Sequence, residues 1–365
     1  MPAGPAQLLA LADDVQAVQV VVMDVSGNAE FEAEALDLAR RLEQSFPGVG
    51  AVLVAESPER LGLAAMRAGV RDVIEPATSV EDLRWTLRRS REGSDGRPGT
   101  PASDQLYAGR VVTVASPKGG VGKTTISTNL AVALAAQSPQ GTVLIDLDVQ
   151  FGDVAAALDL DPTYTLADVL SGPAADDPIA LKALLTQHLS GLSVLPGVRS
   201  PAEADHVTGK QITTLLDLLK REFRYVVIDT APGLSDQTLA AIDHTTDLVL
   251  VSSLDVPGIR GLRKELQLLD ELDLQPSTRH VVVNMVDKAG GLSIADVEAT
   301  ISRKVDVVIS RSPKVVRSTN AGVPIVMGQP RDAVSRDLIG LASRFSPSLS
   351  RDGLFSGRHR GRFQR

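Results

Sequence analysis

The sequence predicts an α/β protein: a three-layer α/β/α domain with a mostly parallel sheet, preceded by a smaller α/β domain. Three observations carry this expectation. Short β-branched runs alternate with helical stretches along the chain. In the longer second part the runs are continuously apolar, as strands buried on both faces require. Residues 91–109, REGSDGRPGTPASDQLYAG, interrupt the alternation with clustered Gly, Pro, Ser and Asp, the composition of a linker. We therefore expect domains over 1–90 and 110–346, a linker over 91–109 and a basic, disordered tail over 347–365. The length of 365 residues also exceeds what one hydrophobic core usually serves.

In the first part, strands are expected at Val18–Met23, Ala51–Val54 and Asp72–Ile74, with helices over 29–45, 58–68 and 79–90. After the linker, strands are expected at Val111–Ala115, Val143–Leu147, Ser193–Leu195, Tyr225–Ile228, Leu248–Val251, His280–Val283 and Val305–Ile309. Helices of suitable length lie between them, at Thr124–Ala136, Ile212–Glu222 and Ile259–Glu271. No repeat of fixed period relates the two parts.

Composition removes several function classes. Hydrophobic residues at 43% and charged residues at 22% are those of an ordinary soluble protein. No run of about 18 apolar residues is present, nor a basic N-terminal segment followed by an apolar stretch, so neither a spanning helix nor a signal peptide is expected. The absence of cysteine excludes disulfides, thiolate zinc, iron–sulfur clusters and cysteine nucleophiles, and fits a cytoplasmic address. A net charge of −8 disfavours a protein that coats nucleic acid over its whole surface.

The strongest signal is VVTVASPKGGVGKTTISTNLAVALA, in which an apolar strand leads into Lys118-Gly119-Gly120-Val121-Gly122-Lys123-Thr124-Thr125 and straight into a helix. That order is the context of a phosphate-binding P-loop. Its glycines let the backbone curl with amides facing inward, while the helix offers its positive end to phosphates. Lys123 is expected to bridge the β- and γ-phosphates of ATP, and Thr124 to ligate Mg2+. The common pattern begins with Gly six residues before the lysine. Pro117 stands there instead, supplies no amide donor and fixes its own φ.

Two strand ends then supply carboxylates. Asp146 and Asp148 follow an apolar run and share one face of extended chain. Asp229 ends the run Tyr225–Ile228 and precedes Thr230-Ala231-Pro232-Gly233, which looks like a Walker B acid followed by a γ-phosphate-sensing turn. Asn284 closes another strand, where it can contact adenine or simply form a turn.

With its second lysine, Lys118, inside the loop, the sequence resembles the deviant Walker A group, the ParA and MinD ATPases, from here to about residue 330. The resemblance implies a P-loop NTPase fold, ATP and Mg2+ as ligands, and a nucleotide-sandwich dimer in which Lys118 reaches the partner's phosphates. It also implies that Asp146 and Asp229 support the magnesium shell, Asp148 positions the attacking water, and Asn284 contacts the base. Residues 146–170, DLDVQFGDVAAALDLDPTYTLADVL, resemble the pilus-assembly proteins CpaE and TadZ, which carry an N-terminal receiver-like domain. Here Val20–Asp24 resembles the receiver strand that ends in the phosphorylated aspartate. Only about 20 residues precede it, too few for two earlier strands and their helices, so a truncated receiver is expected. With 14 acidic and 8 basic residues over 1–90, a net −6, and Glu75 before Pro76 where a lysine is usual, Asp24 is expected to stay unphosphorylated and the domain to serve docking.

Val334, Leu338, Leu341 and Phe345 recur at helical spacing, which suits either a last helix packed on the sheet or a membrane-targeting helix. The end Gly357–Arg365 is basic and can meet acidic lipid, nucleic acid or nothing. Arg303, Lys304, Arg311, Lys314 and Arg317 form either a nonspecific DNA surface or a solvated face. The expected function is an ATP-driven dimerisation switch that organises a pilus-secretion, septal or polar assembly, cytoplasmic or peripheral at the inner membrane face. The alternatives are a DNA-partitioning ATPase and an ATP-binding scaffold with little turnover. A nitrogenase-type iron protein requires cysteines, and a tyrosine kinase of this ancestry would want more than Tyr107, Tyr164 and Tyr225.

Overall fold

Among the described residues, alternation of β-branched and helix-forming stretches produces two sheets. The computed structural model describes residues 4–9, 18–27, 29–46, 48–78, 80, 83, 84, 86, 87, 90 and 109–346, apart from 139, 140, 176, 275 and 288–290. The chain divides into two compact units, Met1–Tyr107 and Ala108–Arg365. Most of the linker expected over 91–109, and the tail expected over 347–365, lie outside the described residues. Of the helix expected over 79–90, the six described positions are helical.

The first unit holds strands β1 (Val20–Asp24), β2 (Gly50–Val54) and β3 (Val70–Ile74), parallel and in that spatial order. Helices α1 (Pro5–Leu9), α2 (Ala29–Ser45) and α3 (Pro58–Arg67) accompany them. Met23, Leu38, Leu42, Leu53 and Leu61 meet in the core, as one apolar stripe per helix and alternate strand positions dictate. Asp24 is exposed at the end of β1. Its carboxylate accepts hydrogen bonds from the Ser26 hydroxyl and amide at 2.5 and 2.9 Å, and these hold it below the ordinary aspartate range.

The second unit is built on an eight-stranded sheet. In chain order the strands are β4 (Arg110–Ala115), β5 (Thr142–Leu147), β6 (Thr186–Gln187), β7 (Ser193–Leu195), β8 (Tyr225–Thr230), β9 (Asp247–Ser253), β10 (Thr278–Val286) and β11 (Val307–Ser310). Their spatial order is β11-β10-β9-β4-β8-β5-β7-β6, parallel throughout except for the short β6, which pairs antiparallel with β7. Strand β6 was not expected, because it has two residues and no apolar run.

Period-two alternation sends side chains to opposite faces of the sheet and so defines three layers. Val112, Val114, Leu144, Val227, Val249, Val251 and Val282 pack against helices α4 (Lys123–Ala135) and α7 (Ala333–Ala342). On the other face, Val111, Val143, Ile145, Val226 and Ile228 meet helix α5 (Gly209–Glu222). Leu248, Leu250, Val281 and Val283 meet helix α6 (Val256–Glu271). Helix α4 is buried on almost every side, which is why it lacks a polar face. In and just after α7, Val334, Leu338, Leu341 and Phe345 are all buried, so the structure realises the packed-helix reading of that segment.

Candidate functional site

The middle strand β4 ends at Ala115, and the chain turns through Ser116–Gly122 into α4. The turn requires left-handed backbone at Gly120 (φ 75°) and Gly122 (φ 94°), which glycine adopts without strain. Gly122 caps α4 without any side-chain hydrogen bond, so the first amides of the helix stay open. A 13-residue helix with an uncapped N-terminus beneath a glycine-rich turn is a ready anion cradle. A Cβ on Gly122 would collide with Asn284 Nδ2, which donates to the Val121 carbonyl at 2.8 Å. Asn284 Oδ1 accepts from the Met285 amide. The buried Asn284 thus fastens the loop from the end of β10, a task its sequence position did not reveal.

Parallel pairing of β8 with both β4 and β5 brings the carboxylates to the loop. Asp146 and Asp229 are register partners across β5 and β8. Thr124, in the first turn of α4, donates its hydroxyl to Asp229 Oδ2 at 2.6 Å, while Asp229 Oδ1 is buried without a hydrogen-bond partner among the described residues. Asp146 accepts the Asp148 amide at 3.0 Å and the Val154 amide at 3.1 Å. Asp148 is half-buried and accepts the Phe151 amide at 3.2 Å. The turn after β8 touches the loop as well, because Gly233 donates its amide to the Ser116 carbonyl at 2.9 Å.

The electrostatics mark this cluster. Burial pushes Asp229 up to about 6, against the opposing effects of the Thr124 hydrogen bond and the Lys123 charge. Burial, and then the charge of Asp229, raise Asp146 well above the usual carboxylate range. Burial lowers Lys123, opposed by Asp229, Asp148 and Glu265. Carboxylates crowded in low dielectric are stabilised by a divalent cation. The donors present suit Mg2+: a hydroxyl and a carboxylate with one orphaned oxygen, hard oxygen ligands that leave room for water and phosphate. Among the described residues no group of three His, Asp or Glu side chains forms a complete protein cage.

Lys118 is exposed, as are Gly119 and Gly120, and with Val121 they line a cavity of about 360 Å3 with Ser253, Leu254, Asp255, Met285 and Arg311. The structure therefore gathers Lys118–Thr125, Asp146, Asp148, Asp229 and Asn284 at one end of the sheet. It adds two residues that the sequence reading missed. Asp255 caps α6 and accepts the Gly258 amide at 2.7 Å. Glu265 is buried in α6 with both carboxyl oxygens unpartnered among the described residues, and burial pushes it up to about 7 against the Lys123 charge. A charged residue inside the stripe Leu262, Leu266, Leu269 was the signal available for Glu265.

A parallel three-layer sheet with a glycine-rich loop, Lys-Thr and strand-end aspartates defines a P-loop nucleotide-hydrolysing domain. The model of a family described as an AAA domain matches residues 109–280. Septum site-determining protein MinD of Synechocystis sp. is 30% identical over 226 residues, covering 60% of this chain and 82% of that protein. MinD of Thermotoga maritima is 28% identical over 243 residues, covering 65% of this chain and 88% of that protein. Among solved structures, Pyrococcus furiosus cell division ATPase MinD superposes with a TM-score of 0.58 at 24% identity, covering 66% of this chain and all of that one. The MinC:MinD cell division complex of Aquifex aeolicus gives 0.56 at 25% identity, covering 64% of this chain and 95% of that one. The chain belongs to the ParA/MinD family of ATPases, and it is an ATPase. Among the described residues no helix is long and apolar enough to cross a membrane.

Proposed function

We propose that this chain is an ATP-driven dimerisation switch that positions a cellular assembly, with Mg-ATP bound on Lys118–Thr125 and hydrolysed to ADP and phosphate. The observation that carries this reading is the meeting of an uncapped helix N-terminus with the Thr124–Asp229 pair beside Asp146 and Asp148. Open amides and Lys123 hold the β- and γ-phosphates, and Thr125 follows in the same turn. Mg2+, held by Thr124 and through water by Asp229 and Asp146, would neutralise the charge that develops on the phosphates. Asp148 orients the attacking water, and the opening of its bond to the Phe151 amide accompanies that task. A γ-phosphate draws the Gly233 amide from the Ser116 carbonyl, which converts the presence of ATP into movement of the turn after β8. Asn284 keeps one amide hydrogen and one lone pair for adenine while it holds Val121.

Lys118, exposed at the rim, reaches the phosphates of a second copy in a nucleotide-sandwich dimer. Hydrolysis then releases the dimer from its partner. The resemblance over 146–170 favours a Tad/Flp-type pilus secretion system as that assembly, with a septal or polar machinery next. The acidic first unit serves as its docking domain, in the cytoplasm or peripherally at the inner membrane face. DNA partitioning is less well supported, because Lys304, Lys314 and Arg303 already face Glu298, Asp332 and Asp270 at 2.8, 2.7 and 3.8 Å.

Light scattering with and without Mg-ATP, run with a phosphate-release assay, tests the switch. The wild type should shift toward a dimer, and Asp148→Ala should accumulate as a dimer with phosphate release slowed about 100-fold. If both proteins bind ATP and neither changes mass, the dimer and the cross-subunit role of Lys118 are wrong. ATP-dependent, salt-sensitive retention on nonspecific DNA would instead favour the partitioning reading.

A further inference from the structure

Two local departures from common composition meet in space. The phosphate loop starts with Pro117 where glycine is usual. Helix α6 carries Gly261 in its interior, where glycine is disfavoured relative to alanine. A Cβ on Gly261 would stand 3.0 Å from Pro117 Cγ and 3.1 Å from Pro117 Cβ, closer than carbon atoms ordinarily pack. The proline ring fills the space that the missing side chain leaves.

The contact lies within a longer correspondence between α6 and the loop. Asp255, the cap of α6, lines the same cavity as Lys118. Gly258 lets the first turn close on the end of β9, since a Cβ there would meet Ser253 Oγ at 2.8 Å and Ser252 Oγ at 3.0 Å. Glu265, one turn beyond Gly261, is buried within the field of Lys123. Successive turns of one helix thus address Lys118, Pro117 and Lys123. Pro117 has a fixed φ, so its ring cannot swing away about the N–Cα bond, and a push on the ring bears on the chain that leads into Lys118.

We infer that Pro117 and Gly261 are a matched pair that sets the seating of the phosphate loop against α6, which makes Gly261 a positioning residue for nucleotide binding. This inference rests on the loop being the nucleotide site. Gly261→Ala displaces the proline by a few tenths of an ångström, and the loop amides and Lys118 move with it. A 1 Å misplacement in an active site can cost about 100-fold, so a shift of this size should cost about fivefold in Mg-ATP affinity. With glycine at 117 the obstruction is gone, and alanine at 261 has only its better helix propensity to express.

A double-mutant cycle over Pro117→Gly and Gly261→Ala, read by Mg-ATP affinity and by the thermal midpoint of the full chain, tests the pair. Gly261→Ala alone should weaken Mg-ATP about fivefold and lower the midpoint. In the Pro117→Gly background the same change should alter affinity by less than about twofold and should raise the midpoint, a reversal of sign that a merely tolerated helix glycine would not give. Equal effects in the two backgrounds, or a stabilising Gly261→Ala in the otherwise wild-type chain, overturn the pairing. If Gly261→Ala yields no soluble protein, recovery by Pro117→Gly is the equivalent positive result, and failure to recover is a negative one. Wild-type protein that binds no Mg-ATP would sink the functional reading, while the reversal in the thermal midpoint would still decide the pairing.

Discussion

Glu265 shows what burial does to one residue. It is buried on α6, in the stretch that carries the buried Leu262, Leu266 and Leu269, with neither carboxyl oxygen partnered among the described residues. In the unfolded chain the group titrates near 4.5, whereas in the folded chain burial pushes it up to about 7. Between these values the folded state retains a proton that the unfolded state releases. Stability therefore declines as pH rises from about 4.5 to 7 and levels off above. Glu265→Gln removes that titration. Denaturant midpoints at pH 5 and pH 8 should show the variant gaining on the wild type by up to about 3 kcal/mol at the higher pH. A gain that is flat across this range would mean that Glu265 does not titrate there. Legibility differs sharply among single residues: Lys123, Thr124 and Asp229 stand in a recognisable order along the chain, while Glu265 is marked only by its place inside the leucine stripe of α6, and what it faces is decided when α6 packs.

At the scale of elements, the sheet is clamped at the end opposite the phosphate loop. Arg110 at the start of β4 bonds Asp247 of β9 through Nε and Nη2, both at 2.8 Å, and donates to the Phe345 carbonyl after α7 at 2.7 Å. Thr278 of β10 also donates to Asp247. Burial alone would raise Asp247, but His280, Arg110 and Thr278 outweigh it and hold the carboxylate well below the usual range. A carboxylate with a lowered folded pKa contributes stability that is present above its unfolded value, near 4, and is lost as pH falls below it. Asp247→Ala leaves Arg110 without its carboxylate partner beside a buried seam, with only the Phe345 carbonyl to bond. It should destabilise the second unit by about 3 kcal/mol at pH 7, at the lower end for broken buried pairs because Arg110 is partly exposed. Urea unfolding at pH 7 and at pH 3.5 measures it: the deficit should shrink at the lower pH, and an unchanged deficit would assign the loss to packing instead. The strands themselves were legible because apolar runs announce buried parallel strands. The clamp was not, since its four residues are more than 230 positions apart along the chain at the extremes.

At the scale of the molecule, ligand binding is coupled to folding. Mg-ATP that binds only the folded second unit stabilises it by about 2.7 kcal/mol at a hundred times the dissociation constant. Calorimetry should show that gain for the wild type and for Asp148→Ala, which keeps the phosphate cradle. Lys123→Ala should show little of it. An equal shift for Lys123→Ala would place the nucleotide elsewhere. The crossover order, with β4 between β8 and β9, puts the loop at the middle of the sheet and its acids on the strands to one side. Lys118 is exposed at this end of the sheet and lines the cavity beside the loop.

The sequence by itself determined the α/β class, the alternation of strands and helices and the local chemistry of Lys118–Thr125, because these depend on side-chain period, glycine conformation and residues adjacent in the chain. It also supplied Asp146, Asp148 and Asp229 as strand-end acids. Only the tertiary structure decided that Asp146 and Asp229 are register partners, that Asn284 fastens Val121, that Gly261 makes room for Pro117 and that Glu265 is buried near Lys123. These are contacts between residues distant in the chain, and the order in which strands pair across the sheet, which no local pattern records, brings them together.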